Sequence, residues 1–302
     1  MADRGADPTL PTGGAARRRA RRGHRGRRGH RWGRTLSRGV PARLSGLVDS
    51  HCHLQDVAFD ADRDEVIERA RAAGLVRILV PGYDLASSRA AIALADAYPD
   101  LVDAAVGVHP HFAASPSAAD WAELAVLATH PRVVAVGEVG LDFFRNLSPR
   151  AAQEAALERQ LSIAADAGRP VLVHDREAHD AVRSALLTWS GPPGRTIRGV
   201  LHCYSGDAPL ALELAAAGYL ISFALPVSFS SAHGPRAAAA ALPDGTFLLE
   251  TDSPWLAPGG AGARNEPTTA LRVAAALGRI RGTTPEAVAA SAASAYRALV
   301  SG

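Results

Sequence analysis

From residue 47 onward, eight short apolar runs alternate with longer amphipathic stretches, and this alternation constrains the fold more than any other feature. The runs cover residues 47–54, 75–82, 102–110, 133–142, 171–175, 199–204, 219–224 and 246–252. Short β-branched-rich runs of this kind read as strands buried on both faces. Between and after them, residues 61–73, 86–97, 117–129, 149–167, 176–189, 208–217, 234–241, 268–281 and 285–299 carry apolar residues at helical spacing. Ser87-Ser88 stand where caps would start the helix at 86–97, and the stretch at 117–129 follows Ser115-Pro116. The pattern predicts an α/β chain folded as a single-domain TIM (β/α)8 barrel. A doubly wound open sheet uses the same elements, and strand count alone does not separate the two.

The polar residues at the strand ends favour the barrel. The first run ends in Asp49-Ser50-His51-Cys52-His53, where the two imidazoles, two residues apart, share a face and Cys52 points away. His109-Pro110-His111 ends the third run, Glu138 sits in the fourth, His174-Asp175 ends the fifth, His202-Cys203 lies in the sixth, and Glu250-Thr251-Asp252 ends the eighth. A buried ionisable group is costly unless it is paired or bound to metal. Imidazole or carboxylate at the same end of so many strands therefore predicts a shared site, and in a barrel those ends converge on one rim. A mixed set of nitrogen and oxygen donors suits Zn²⁺, Mn²⁺ or Mg²⁺ in one or two positions. Cys203 is expected to face away from the metals, and His130 and His179 to be solvated.

The chain contains no lysine, so all 33 basic residues are arginine. That excludes a P-loop, a protein kinase, Schiff-base chemistry and a carboxylated-lysine metal bridge. Charge is unevenly spread. Residues 1–46 hold 13 Arg against Asp3 and Asp7, whereas residues 47–302 hold 20 Arg against 28 acids. The basic balance thus comes from the N-terminal stretch, and the body is acidic. Residues 1–43 lack apolar periodicity and are expected to be a disordered basic tail ahead of a hydrolase domain at 44–302. Such a tail could bind nucleic acid through counterion release, act as a transit peptide, or have no role. No apolar stretch is long enough for a membrane span, and two cysteines make no disulfide framework, so the expected compartment is cytoplasmic.

Residues 48–54 (VDSHCHL), 106–111 (VGVHPH), 136–142 (VGEVGLD), 170–174, 199–206 with LHCYSG, 248–254 (LLETDSP) and 264–267 (RNEP) together resemble the TatD-type metal-dependent deoxyribonucleases. The resemblance runs in order from about residue 47 to 300. It implies a TIM barrel of the amidohydrolase-like superfamily that uses two divalent metal ions to hydrolyse phosphodiester bonds of DNA, as a 3′–5′ exonuclease or on single strands, in a monomer. Carried over by motif, it implies that His51, His53, Glu138 and Asp252 hold one metal. Glu138 bridges to a second metal held by His174 and His202. It further implies Asp252 as the base that activates water, His109 beside the scissile phosphate, Arg145 and Arg264 on phosphate, and Asn265 and Glu266 as supports behind the ligands. Trp255 at the rim could stack a base. The chain departs from the family in His174-Asp175-Arg176 where His-Ser-Arg is common, in Phe143-Phe144 where Tyr-Tyr is common, and near Ser294 and Leu299-Val300. An alternative for the same site is a metal-dependent amidohydrolase, lactonase or phosphatase acting on a small molecule. A third is a non-catalytic nucleic-acid-binding protein using the tail.

Overall fold

The computed structural model describes residues 39–260 and 262–301. Eight parallel strands run in the order of the sequence: β1 (Leu47–Asp49), β2 (Leu75–Pro81), β3 (Val102–Val106), β4 (Val133–Asp142), β5 (Val171–Arg176), β6 (Gly199–Leu201), β7 (Tyr219–Phe223) and β8 (Phe247–Leu249). The sheet closes on itself just past the last strand: the Ser50 amide donates to the Leu249 carbonyl (3.1 Å), Asp252 to His51 (2.9 Å) and His53 to Ser253 (2.7 Å). This is a TIM barrel, and the open-sheet alternative falls with that seam. Helices α1 (Arg63–Ala73), α2 (Leu85–Ala97), α3 (Ala118–Ala128), α4 (Arg150–Asp166), α5 (His179–Thr188), α6 (Ala208–Ala216), α7 (His233–Ala241) and α8 (Ala270–Arg281) surround it.

A further helix, α9 (Pro285–Val300), is capped by Thr284 and lies across the amino end of the barrel. There the buried Tyr296 donates to Asp103 at the start of β3 (2.8 Å), and Ser291 accepts from the Gly245 amide ahead of β8 (2.9 Å). That end is sealed, which leaves the carboxyl ends of the strands as the open face.

Side-chain caps start α2, α3, α6 and α9. At α2 the cap is Asp84, not Ser87-Ser88: the Asp84 carboxylate accepts from the Ser87 amide, and Ser87 Oγ returns a bond to the Asp84 amide. At α3 the cap is Ser117, two residues past Ser115, with the same reciprocal pairing to Asp120. In both helices the cap is the residue whose side chain and the one three positions on satisfy each other's backbone amides.

Several strands are shorter than the apolar runs. β1, β3, β6 and β8 stop at Asp49, Val106, Leu201 and Leu249. The ligand-bearing residues after them therefore stand on loops just beyond the ladder, where side chains are free to turn inward. The expected tail falls largely on residues 1–38, which lie outside the described residues. Val40 packs on the core, and Leu44 is buried, with its amide donating to Ala73. Among the described residues no helix is long and apolar enough to cross a membrane.

Candidate metal centre

Glu138 is the centre of the site, and local backbone irregularity puts it there. β4 pairs with β5 through Gly137↔Leu172 and then Val139↔Val173, so Glu138 is the extra, bulged residue. A bulge re-aims the side chain it carries. The Glu138 amide turns inward and donates to the Gly82 carbonyl at 2.7 Å. Glycine makes room for this: a Cβ on Gly107 would lie 2.6 Å from the Gly137 carbonyl carbon. Gly140, at φ +132°, faces the His174 carbonyl where no side chain fits.

The two carboxylate oxygens of Glu138 face two groups of imidazoles. Oε2 lies 3.4 Å from His51 Nε2 and 3.7 Å from His53 Nε2. Oε1 lies 2.8 Å from His202 Nε2, 3.0 Å from His174 Nδ1 and 3.4 Å from His109 Nε2. Asp252 joins the first group, with Oδ1 3.8 Å from both His51 Nε2 and His53 Nε2. Its backbone is left-handed, at φ +54°, a conformation Asp tolerates better than most residues.

These side chains fit a divalent cation. The Nε2 atoms of His51 and His53 point at one another across 3.0 Å, and those of His174 and His202 meet at 3.1 Å (Nδ1 to Nε2). Nitrogens this close are joined by one shared proton or by one shared cation, and a cation is the arrangement that the surrounding carboxylates also suit. His51, His53 and Asp252 form one set of donor atoms within 4.8 Å of one another, His51, Glu138 and His202 a second, and His109, Glu138 and His174 a third. Burial lowers the pKa of His51, and lowers that of His53 well below the ordinary imidazole range, helped in each case by neighbouring imidazoles. Burial likewise takes His109 down to about 4. These three are therefore neutral donors at pH 7. For Glu138 burial works upward, but His202, His109 and His51 together outweigh it and hold the carboxyl well below its usual range. Burial pushes Asp252 well up.

Behind the donors lie groups that the strand-end pattern did not single out. Asp49 is buried at the β1–β8 seam. It accepts from the Thr251 hydroxyl (2.6 Å), the Thr251 amide (2.9 Å) and the His51 amide (3.3 Å), so one carboxylate ties together the segments carrying His51 and Asp252. Asp142 Oδ2 accepts from His111 Nε2 (2.8 Å) and lies 3.5 Å from His174 Nε2. On α4, Gln153 and Gln160 sit seven residues apart on one buried face. Gln153 pairs with the backbone N–H and C=O of Asp142, and Gln160 with those of Val108, next to His109. Their signal in the sequence was polar side chains on a helix face otherwise apolar.

A cavity of about 390 Å³ opens over the donors. Tyr83, Phe112, Trp255 and Leu256 make one wall, and Asp175, Arg176, Cys203 and Ser205 belong to the same lining. Trp255 packs edge-on against His53, with centroids 4.7 Å apart. His51, His53, Glu138, His174, His202, Asp252 and His109 are thus brought together. His111 also lines the cavity. Cys203 corrects an expectation: at φ +43° it turns toward the cavity. His179 is not simply solvated, because its Nδ1 meets Asp175 Oδ2 at 2.7 Å. Asp175, one of the departures from the family pattern, is thereby directed at α5 and belongs to none of the donor clusters.

Arg264 and Glu266 are not brought to the cavity. The Arg264 guanidinium is engaged by Asp62 (2.5 and 2.7 Å) and Glu266 (3.0 Å), in a network that Arg69 extends on the outer surface. Its planar fork faces carboxylates here, and Arg264 is not among the residues lining the cavity. Glu266 serves this surface network instead of the ligands. Asn265, by contrast, is buried and donates to the Thr251 carbonyl (2.9 Å), steadying the segment that carries Asp252. The Arg145 amide donates to Asp142 Oδ1 (2.7 Å), and its side chain is not part of the cavity wall.

A barrel with histidines and carboxylates converging at its open end, arranged to hold metal, defines a metal-dependent hydrolase. Comparison with known proteins gives the family. The model of the family "TatD related DNase" matches residues 48–301, and the chain belongs to that family. It is 34% identical to the uncharacterized metal-dependent hydrolase YabD of Bacillus subtilis over 80% of this chain and 94% of that one. It is 41% identical to the 3′-5′ ssDNA/RNA exonuclease TatD of Edwardsiella piscicida over 70% of this chain and 81% of that one. Among solved structures, YjjV, a TatD homologue from Escherichia coli, superposes with a TM-score of 0.77 at 30% identity, covering 85% of this chain and 98% of the other.

Proposed function

We propose that this hydrolase removes nucleotides from the 3′ end of single-stranded DNA or RNA, using two divalent ions, Mg²⁺, Mn²⁺ or Zn²⁺. The observation that carries this reading is Glu138, whose Oε2 faces His51 and His53 while its Oε1 faces His174 and His202. In this reading His51, His53 and Asp252 hold one ion, His174 and His202 hold the other, and Glu138 is shared. Bound divalent ions would supply charge to neutralise the scissile phosphate and lower the pKa of water toward about 7. Asp252, at the edge of the His51/His53 set, takes the proton of the attacking water. His109, kept neutral, stands beside the donors to hydrogen-bond the phosphate. The aromatic wall of Tyr83, Phe112 and Trp255 offers faces for a base, and Arg176 brings a guanidinium to the acidic body's open end. The names of the TatD relatives support single strands and 3′ ends. Arg145 remains a candidate phosphate contact from the loop after β4.

The test is cleavage of a single-stranded oligonucleotide labelled near its 5′ end, with and without chelator, beside His202→Ala. Stepwise shortening from the 3′ end that chelator abolishes and His202→Ala loses is expected. Chelator-insensitive cleavage, or wild-type activity in His202→Ala, overturns the reading. Turnover of a lactone or amide by a metal-loaded enzyme that leaves the oligonucleotide intact would instead favour a small-molecule hydrolase.

A further inference from the structure

The two metal positions are built differently behind their ligands. A histidine that ligates through one ring nitrogen carries its proton on the other, and a carboxylate there fixes the tautomer and strengthens the ligand. Behind His202, Nδ1 lies 3.4 Å from Glu250 Oε1; behind His174, Nε2 lies 3.5 Å from Asp142 Oδ2. Both carboxylates are buried. Backbone amides hold both in place: Glu250 Oε1 accepts from Cys203 (2.6 Å), and Asp142 Oδ1 from Phe144 (3.0 Å) and Arg145 (2.7 Å). The other pair has no counterpart. His51 Nδ1, like His202 Nδ1 and His174 Nε2, is buried without a hydrogen-bond partner, but only the latter two face a carboxylate within 4 Å, and His53 Nδ1 faces the amide of Gln55 at 3.4 Å, whose Nε2 donates to the Pro81 carbonyl.

Ligand supply runs the opposite way. The His51/His53 position has Asp252 as a further carboxylate, whereas the His174/His202 position has, besides its two imidazoles and the shared Glu138, only the imidazole of His109 nearby and no carboxylate of its own. We propose that Glu250, with Asp142, is a positioning residue for one metal only: it compensates for the missing carboxylate at the His174/His202 position, so that loading of that position depends on it and loading of the His51/His53 position does not. This rests on the two-metal reading given above.

The experiment is titration of the full chain, stripped of metal, with Mn²⁺, followed by calorimetry and by counting bound ions. Wild type should bind two equivalents. Glu250→Gln keeps an acceptor for the Cys203 amide while removing the charge, and should weaken one equivalent by about 10–100-fold, leaving the other at wild-type affinity. Asp252→Asn should weaken the equivalent that Glu250→Gln spares, and combining the two should weaken both. Unchanged binding in Glu250→Gln, or equal weakening of both equivalents, overturns the proposal. A single equivalent in wild type overturns the two-metal reading itself. Superimposable melting of the metal-free wild type and variant checks folding. If Glu250→Gln fails that check, Asp142→Asn takes its place, with loss from the same equivalent expected and unchanged binding or equal weakening overturning the proposal.

Discussion

Gln160 gives the sharpest stability test of how this site is supported. Its amide reaches from α4 to the end of β3, accepting from the Val108 N–H at 2.7 Å and donating to the Val108 C=O at 3.1 Å. Gln160 is 1% exposed and Val108 3% exposed, so water cannot replace the amide. In Gln160→Leu, shape is nearly kept, but two backbone groups lose their partner. Each buried unsatisfied group costs about 1–3 kcal/mol. Leucine returns about 1–2 kcal/mol through added apolar burial. Taking the middle of each range, the expected net loss is about 2.5 kcal/mol, or a fall in Tm of about 5–10 °C for a chain of this size. Urea unfolding followed by circular dichroism measures the first quantity and a thermal scan the second. Because Val108 precedes His109, cleavage activity should fall as well under conditions where the variant is fully folded. Gln160→Leu within about 0.5 kcal/mol of wild type, the range of an ordinary surface change, would refute the idea that this side chain replaces a strand partner.

Gly107→Ala places a Cβ against the backbone of Gly137 and Glu138, so it should cost about 1–3 kcal/mol and reduce bound metal, measured by elemental analysis of the purified protein. Metal removal by a chelator should lower Tm by about 5–11 °C for each ion present at 100 times its Kd, and re-addition of the divalent ion should restore it. The Asp62 carboxyl, held down to about 2 chiefly by the Arg264 guanidinium, contributes stability above its unfolded pKa of about 4 that is lost as pH falls toward 2. Asp62→Asn should therefore be less stable than wild type at neutral pH, with the gap closing below pH 4 in a series of urea titrations. A gap independent of pH would exclude the ion pair as its source.

The barrel was legible because its cause is local. Eight β-branched-rich runs separated by helical periods admit few topologies, and the seam between Ser50 and Leu249 decided between closed and open sheets. The ligand residues were legible for a related reason: His51, His53, Glu138, His174, His202 and Asp252 are ionisable groups in or at the ends of apolar runs, where solvation alone cannot account for them. The ion pairs of Arg264 were not legible, because an arginine in a loop carries no sign of its partner. Only the fold shows that Asp62, 202 residues away in sequence, occupies its guanidinium. Gln153, Gln160 and Asp49 went unread as supports for the same reason. The partners of Gln153 and Gln160 are backbone groups on other elements, which leave no mark in sequence, and the Thr251 hydroxyl that meets Asp49 lies 202 residues away.

By itself, then, the sequence determined the strand and helix order and the donor types, since periodicity and residue chemistry are properties of single segments. The tertiary structure decided how those donors divide. Glu138 shows one oxygen to His51 and His53 and the other to His174 and His202 only because β4 bulges at that residue and glycines let its backbone move inward. Which carboxylates bind, which stand behind a histidine and which turn to the surface depends on distances of a few ångströms between segments far apart in sequence, and closure of the barrel sets those distances.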